Sequence, residues 1–320
     1  MKAQTWTVGV DEAGLRLDKF LAAGGRAGSR LRAAAALERG KVSLNATFVG
    51  LEAAARRLAV NDVVSLWLDR PGTARKPPRT GRPGGPLDVV YEDDVLVVVN
   101  KPAGLLTVPL ERRGSGASVY ALIAERFRAL GKRRPFVVHR IDEDTSGLVV
   151  FAKDAEARRA LQAQFKGRAP ERVYQAIVRG QVRPDAGTWR DHLVWDEKAL
   201  IQKPTHRNDS RGKEAVCDYR VLETFETASF IEVRLRTGRR NQIRVQAQLR
   251  GHPLVGEERY VTDAGHPPMP FGRQALHASR LEFDHPRDGR RLRLEAPLPL
   301  DMRELIGRLR RRPVGKPRTR

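Results

Sequence analysis

Cysteine is almost missing from this chain: among 320 residues only Cys217 is one, so no disulfide can form within it. Long apolar runs are missing too, and none approaches the roughly 20 residues needed to span a bilayer. The first six residues, Met-Lys-Ala-Gln-Thr-Trp, carry nothing like a secretory core. Seven histidines are present, but none are paired at metal-binding spacing, and one cysteine cannot make a thiolate zinc site. There is no Gly-x-Ser-x-Gly elbow and no Gly-x-x-x-x-Gly-Lys-Ser/Thr loop, which argues against serine hydrolases and P-loop nucleotide binding. No internal repeat is evident. These absences lead us to expect a soluble, cytoplasmic protein.

Positive charge is plentiful. Lys and Arg number 60 against 38 Asp and Glu, a formal net charge of +22, while an apolar content of 40% is that of a globular chain. Such a surplus repels itself unless a polyanion screens it, so nucleic acid is the expected partner. The competing explanation is a solvated, Arg-rich surface. Residues 70–86 hold five prolines, four glycines, five basic residues and no acid, the composition of a loose basic linker. The linker separates a small unit, residues 1–69, from a larger one, residues 87–306. A basic tail with seven cations and no acid, residues 307–320, is expected to be disordered.

In the small unit, Ser29 is placed to cap a helix over residues 30–39, and Gly40 to stop it. Residues 15–21 have the apolar spacing of an amphipathic helix, and residues 41–45 and 61–68 read as strands. In the larger unit, helical periodicity covers residues 118–130 and 155–165. Residues 173–178, 230–235, 242–249 and 291–295 read as strands. Strands outnumber helices, so the expected class is α+β with a mixed, largely antiparallel sheet.

The densest chemistry lies in His139-Arg140-Ile141-Asp142-Glu143-Asp144-Thr145-Ser146-Gly147, a polar loop between two apolar, strand-like runs. Its three carboxylates could hold a divalent metal. Adjacent carboxylates do not converge on one ion without a special loop, so solvation of a turn is the simpler reading of Glu143 and Asp144.

The loop resembles the His-Arg-Leu-Asp-x-x-Thr-Ser-Gly signature of the RluA-type pseudouridine synthases, with Ile141 at the Leu position. Further segments resemble the family in order and spacing: Tyr91-Glu92-Asp93 to Lys101-Pro102-Ala103-Gly104; Arg172-Val173-Tyr174; and Thr237-Gly238-Arg239-Arg240-Asn241-Gln242-Ile243-Arg244, running on to Val255-Gly256. A last echo runs from Leu276-His277-Ala278 to Pro297-Leu298-Pro299. Arg172 stands where Lys is common, Asn241 and Gln246 where histidines are usual, and Glu257 where Asp is usual.

The resemblance implies a pseudouridine synthase fold and the isomerisation of uridine in RNA, with no cofactor or metal. It makes Asp142 the catalytic carboxylate, Arg244 the guanidinium that keeps it ionised, and Tyr174 the aromatic that stacks on uracil and whose hydroxyl could assist loss of the C5 proton. Arg140 would fill the space left by the extruded base. His139 is expected to structure the loop. The small unit resembles the S4 RNA-binding domain, with Arg26, Arg30, Arg32 and Lys41 as its phosphate-facing cations. Large-subunit ribosomal RNA is the expected substrate and a monomer the expected state. Transfer RNA, or a non-catalytic RNA-binding or ribosome-assembly role on the same fold, are the alternatives.

Overall fold

The computed structural model describes residues 3–38, 40–67, 87–109, 117–129, 134–197, 199–260, 269 and 271–311. The chain divides into two compact units between residues 80 and 81. That point falls inside the expected linker, which itself lies outside the described residues.

The first unit contains β1 (Gln4–Thr7), α1 (Leu17–Leu21), α2 (Arg30–Glu38), β2 (Val42–Leu44), β3 (Thr47–Val49) and β4 (Val63–Leu66). Its strands form an antiparallel sheet in the order β1-β4-β2-β3. Ser29 Oγ accepts the Arg32 N–H at 3.2 Å, capping α2, and Gly40 takes the left-handed φ of 60° that ends it. Leu17, Phe20 and Leu21 of α1 pack with Leu37, Val42 and Val64 in one small core.

The second unit is built on an eleven-stranded sheet. Two of its interior strands, near the β5 edge, are β6 (Leu96–Lys101) and β8 (Ser146–Ala152), both nearly unbroken apolar runs. A strand alternates its side chains, so an unbroken run implies cover on both faces. Leu148, Val150 and Ala152 accordingly enter one core with α4 (Ala155–Gly167), while Val149 and Phe151 enter another with α3 (Val119–Ala129). Asp154 caps α4, accepting from the Ala157 N–H at 2.7 Å.

Beyond β8 the sheet continues through β14 (Leu276–Asp284), β9 (Glu171–Arg179), β13 (Ala228–Leu235), β12 (Lys213–Thr224), β10 (Ala186–Asp196) and β11 (Ile201–Pro204). On the other side of β6 lies β5 (Asp88–Glu92); β7 (Phe136–Val137) pairs with β8, and β15 (Arg291–Glu295) with β14. All of these pairings are antiparallel except β8 with β14, so the mixed, largely antiparallel α+β architecture is as expected.

Two sequence expectations need correction. Residues 242–249 are not a strand but the helix α5 (Gln242–Leu249). The alternating Ile243, Val245 and Ala247 mimic a strand. In the helix, however, Ile243 and Ala247 lie four apart and share one core, and Gln242 and Gln246 bond to each other at 3.0 Å in the interior. The basic tail also begins later than residue 307, because α6 (Leu300–Arg310) runs on and buries Leu309. Residues 312–320 lie outside the described residues.

One cross-strand row places the candidate site. Lys101 of β6 opposes Gly147 of β8, which opposes Ala278 of β14, which opposes Tyr174 of β9. Glycine is required in that row: at Gly147, with φ of +112°, a Cβ would lie 2.2 Å from the Ala278 carbonyl oxygen.

Candidate active site

The loop joining β7 to β8, residues 138–145, is held chiefly through its main chain. Thr107 Oγ1 donates to the Ile141 carbonyl at 2.8 Å, and the Asp142 carbonyl accepts the Thr145 N–H at 3.1 Å. The Glu143 carbonyl accepts from the Gly104 N–H at 3.0 Å and from Lys101 Nζ at 2.6 Å. The Asp144 carbonyl accepts from Arg273 Nη1 at 3.1 Å. Ile141 is buried beneath the loop in a core shared with Leu105, Ala278 and Tyr174. With these groups engaged, the Asp142 side chain is directed toward α5.

Lys101 and Arg273 are the buried supports. The Lys101 ammonium is fully enclosed and also donates to the carbonyls of Pro102 and Leu105. Burial pulls it down to about 7, with Arg273 adding to the fall and Asp144, Asp142 and Glu143 opposing it. Arg273 bonds both carboxylate oxygens of Asp301 in α6, at 2.7 and 3.1 Å, as well as the loop. Next to the loop, His277 Nε2 faces the Ala296 carbonyl at 3.2 Å, so its Nδ1 accepts the Ser146 hydroxyl at 2.9 Å.

Asp142 meets two donors on one oxygen. Asn241 Nδ2 donates to Oδ2 at 2.6 Å and Arg244 Nη1 donates to the same atom at 3.2 Å. The donors stand three apart at the start of α5, Asn241 as its N-cap with a left-handed φ of 51° and Arg244 in its first turn. Among the described residues Oδ1 receives no hydrogen bond, and the side chain keeps 28% of its surface open.

Both donors are themselves fixed. Arg244 Nε and Nη2 bond the two oxygens of Glu257, each at 2.7 Å, and the Glu257 side chain is completely buried. Burial would raise the Glu257 carboxyl, but the hydrogen bond and charge of Arg244 outweigh it and hold that carboxyl below its usual range. Burial likewise opposes the charge on Arg244, and Glu257 and Asp142 more than restore it. The Tyr260 hydroxyl donates to Asn241 Oδ1 at 3.1 Å and accepts the Gln202 N–H at 3.0 Å. That chain sets the orientation of the Asn241 amide, so Nδ2 is the atom offered to Asp142.

Tyr174 lies half-buried across the sheet and packs against two cores. Burial raises its hydroxyl above the ordinary phenol range, with Arg172 opposing and Asp142 adding to the rise. At neutral pH the ring therefore presents a neutral phenol. Arg140 is exposed two residues before Asp142 and makes no side-chain hydrogen bond among the described residues. His139 Nε2 accepts the Val150 N–H at 3.2 Å, and its ring stacks on Phe165 at 4.5 Å. Burial, helped by Arg172, pulls this imidazole down to about 3, so it stays neutral and structures the loop.

Residues 95–249 match the family model described as RNA pseudouridylate synthase. Over 308 residues the chain is 36% identical to an uncharacterized RNA pseudouridine synthase, YlyB, of Bacillus subtilis, covering 95% of this chain and 97% of that one. It is 40% identical over 234 residues to ribosomal large subunit pseudouridine synthase D of Zymomonas mobilis, covering 69% of this chain and 72% of the relative. The chain belongs to the RNA pseudouridine synthase family. The solved structure of human RNA pseudouridylate synthase domain containing 4 shares the fold, with a TM-score of 0.59 at 22% identity over 70% of this chain and 93% of that one.

Within this RluA-type pseudouridine synthase, the sequence flags Asn241 and Glu257 only as departures from the family pattern. Their place in the site is visible once α5 is seen as a helix. The signal available beforehand was the three-residue spacing of Asn241 and Arg244. In the first unit, Arg30 and Arg32 are exposed and Lys41 is half-buried. Arg26 needs correction as a phosphate-facing cation. Its guanidinium stacks on Phe20 at 3.5 Å, bonds the Phe20 carbonyl at 2.9 Å and pairs with Glu12 at 2.6 Å, leaving its side chain 13% exposed. It is a core clamp.

Proposed function

We propose that this enzyme isomerises uridine to pseudouridine in large-subunit ribosomal RNA, with Asp142 as the catalytic carboxylate. The observation that carries the reading is Asp142 itself, tethered through Oδ2 by Asn241 and Arg244 while Oδ1 receives no hydrogen bond among the described residues, with Tyr174 near enough to feel the carboxylate's charge. The reaction cuts the bond from N1 to the sugar, turns the base and bonds C5 to the same sugar carbon. No atom is gained or lost beyond the exchange of the C5 proton for one at N1. A carboxylate at the sugar suits the first step, and the Arg244 guanidinium holds it in place through a charged hydrogen bond.

Tyr174 supplies the stacking face for the extruded uracil, worth about 1–3 kcal/mol for a base on an aromatic ring. Its neutral hydroxyl suits hydrogen-bond donation to the base; as a base toward C5 it would first have to give up its own proton. Arg140, exposed and without a side-chain hydrogen bond among the described residues, is the side chain to enter the space the uridine leaves. In the first unit, Arg30, Arg32 and Lys41 are the remaining cations of an S4-like, phosphate-facing surface. The choice of ribosomal RNA is supported by the printed names of relatives 37–40% identical, which are large-subunit synthases.

The test is release of tritium from 5-tritiated uridine in transcripts of large-subunit ribosomal RNA and of transfer RNA. Wild type is expected to release tritium from the ribosomal transcript and Asp142→Asn to release none. Equal release by both would reject Asp142. Release only from transfer RNA would replace the substrate, and no release at all would favour a binding role.

A further inference from the structure

Among the described residues Arg172 has no ion-pair partner. It leaves β9 two residues before Tyr174, on the same face of the strand. Its guanidinium lies 5.9 Å from the centre of the Phe165 ring, the ring stacked on His139. On another side is Gly238, where a Cβ would stand 2.2 Å from Arg172 Nη1. Arg172 Nε is buried with no partner, and no carboxylate or carbonyl among the described residues accepts from this side chain.

The neighbouring arginines show what is missing. Glu171, the adjacent residue, pairs with Arg280 at 2.8 Å and with Arg234 at 3.2 Å, both on nearby strands. Arg244 has Glu257 and Asp142. Around Arg172 the positive charge accumulates instead. Arg168, exposed at the end of α4, acts on Arg172 and also on Arg239, the residue after Gly238. Burial lowers both Arg172 and Arg239 and Arg168 adds to the fall, while Tyr174 opposes it at Arg172 and Glu214 at Arg239. Arg239 keeps its Nε on the Glu214 carbonyl at 2.9 Å. Half-burying a guanidinium beside like charges, with one nitrogen unsatisfied, is costly unless an anion completes it. A buried polar group left open next to a reaction centre calls for a ligand.

We infer that Arg172, flanked by Arg168 and Arg239, forms a phosphate site that takes a backbone phosphate of the RNA next to the target uridine. The inference rests on the RNA-substrate reading above and adds to it a specific contact. A planar guanidinium matches phosphate oxygens two at a time, and its position on the Tyr174 face lets one nucleotide engage both residues. Gly238 keeps open the space that the guanidinium occupies.

The experiment compares full-length wild type, Arg172→Gln, Arg172→Lys and Gly238→Ala on one large-subunit ribosomal RNA transcript. RNA affinity is measured against salt, and KM and kcat by tritium release. Losing one phosphate contact is expected to flatten the slope of log affinity against log salt by about 0.7–0.9 and to raise KM roughly tenfold, with kcat nearly unchanged. Gly238→Ala keeps every charge but displaces the guanidinium, so it is expected to act in the same direction. Arg172→Lys is expected to keep the slope. An unchanged slope in Arg172→Gln, or a fall in kcat at constant KM, overturns the phosphate site while leaving the function standing. Wild type that forms no pseudouridine yet shows the slope difference overturns the functional reading and leaves the phosphate site standing.

Discussion

Glu257 grips Arg244 through two parallel hydrogen bonds, both 2.7 Å, and leaves Nη1 as the nitrogen that reaches Asp142. Asp142, the carboxylate proposed to be catalytic, thus depends on a second carboxylate that substrate need never touch. Glu257→Gln preserves volume and removes the charge. We expect turnover to fall about tenfold to a hundredfold, the loss of one to two decades that a charged hydrogen bond carries. Tritium release against circular dichroism checks this: a folded variant with wild-type turnover would detach Glu257 from the site.

Asn241→Ala removes the shorter of the two bonds to Asp142 Oδ2. Turnover is expected to drop about tenfold with KM unchanged, since both ends of the amide are engaged by Asp142 and Tyr260. Asn241→His, which installs the residue usual in the family, is expected to recover part of the loss through a ring N–H. A rise in KM alone would place Asn241 on the substrate side.

Gly147→Ala and Gly104→Ala separate two reasons for glycine. Both positions have positive φ, +112° and +79°, but an added Cβ meets the Ala278 backbone at 2.2 Å in the first and nothing within 4 Å in the second. Urea unfolding is expected to show a loss of about 3 kcal/mol or more for Gly147→Ala and about 1–2 kcal/mol for Gly104→Ala. Equal losses would contradict the close approach of β8 and β14.

His277 links stability to acid. Burial, with Arg273 adding and the Ala296 carbonyl and Asp301 opposing, pulls its imidazole down to about 4. Between its unfolded value of about 6.5 and that folded value, the unfolded chain binds a proton that the folded chain refuses, so stability falls as pH falls. The slope is about 1.4 kcal/mol per pH unit from this group. The stability contribution is fully present above the unfolded value. Melting temperatures of wild type and His277→Gln from pH 7 to 4 check it: the variant starts lower and declines less steeply. Parallel declines would remove His277 as the cause.

Much of this was legible in the linear sequence, for identifiable reasons. The α3 and α4 helices and the strands β6 and β8 were readable because their apolar spacing is uninterrupted, and α2 because its Ser29 cap is local. Asp142, Tyr174 and Arg244 were readable because each sits in a dense motif. Residues 242–249 misled because alternating Ile243, Val245 and Ala247 satisfy a strand pattern, whereas their conformation follows from a buried glutamine pair that only tertiary packing reveals. Arg26 misled because a cation–aromatic clamp and a solvent-facing cation look identical in one dimension. The supports of the loop were invisible for a different reason: Lys101 and Arg273 act on carbonyls 42 and 129 positions away, and a carbonyl carries no residue identity.

Arg273 gives the last helix a stake in the chemistry. Its guanidinium spans from the Asp144 carbonyl to the Asp301 carboxylate, so α6 is moored through one side chain to the segment bearing Asp142. A protein cut just before Asp301 would retain every residue assigned here to RNA or uracil. It would lose the far anchorage of the strut that steadies them, so labels and deletions near that helix would act at the reaction centre without ever touching it.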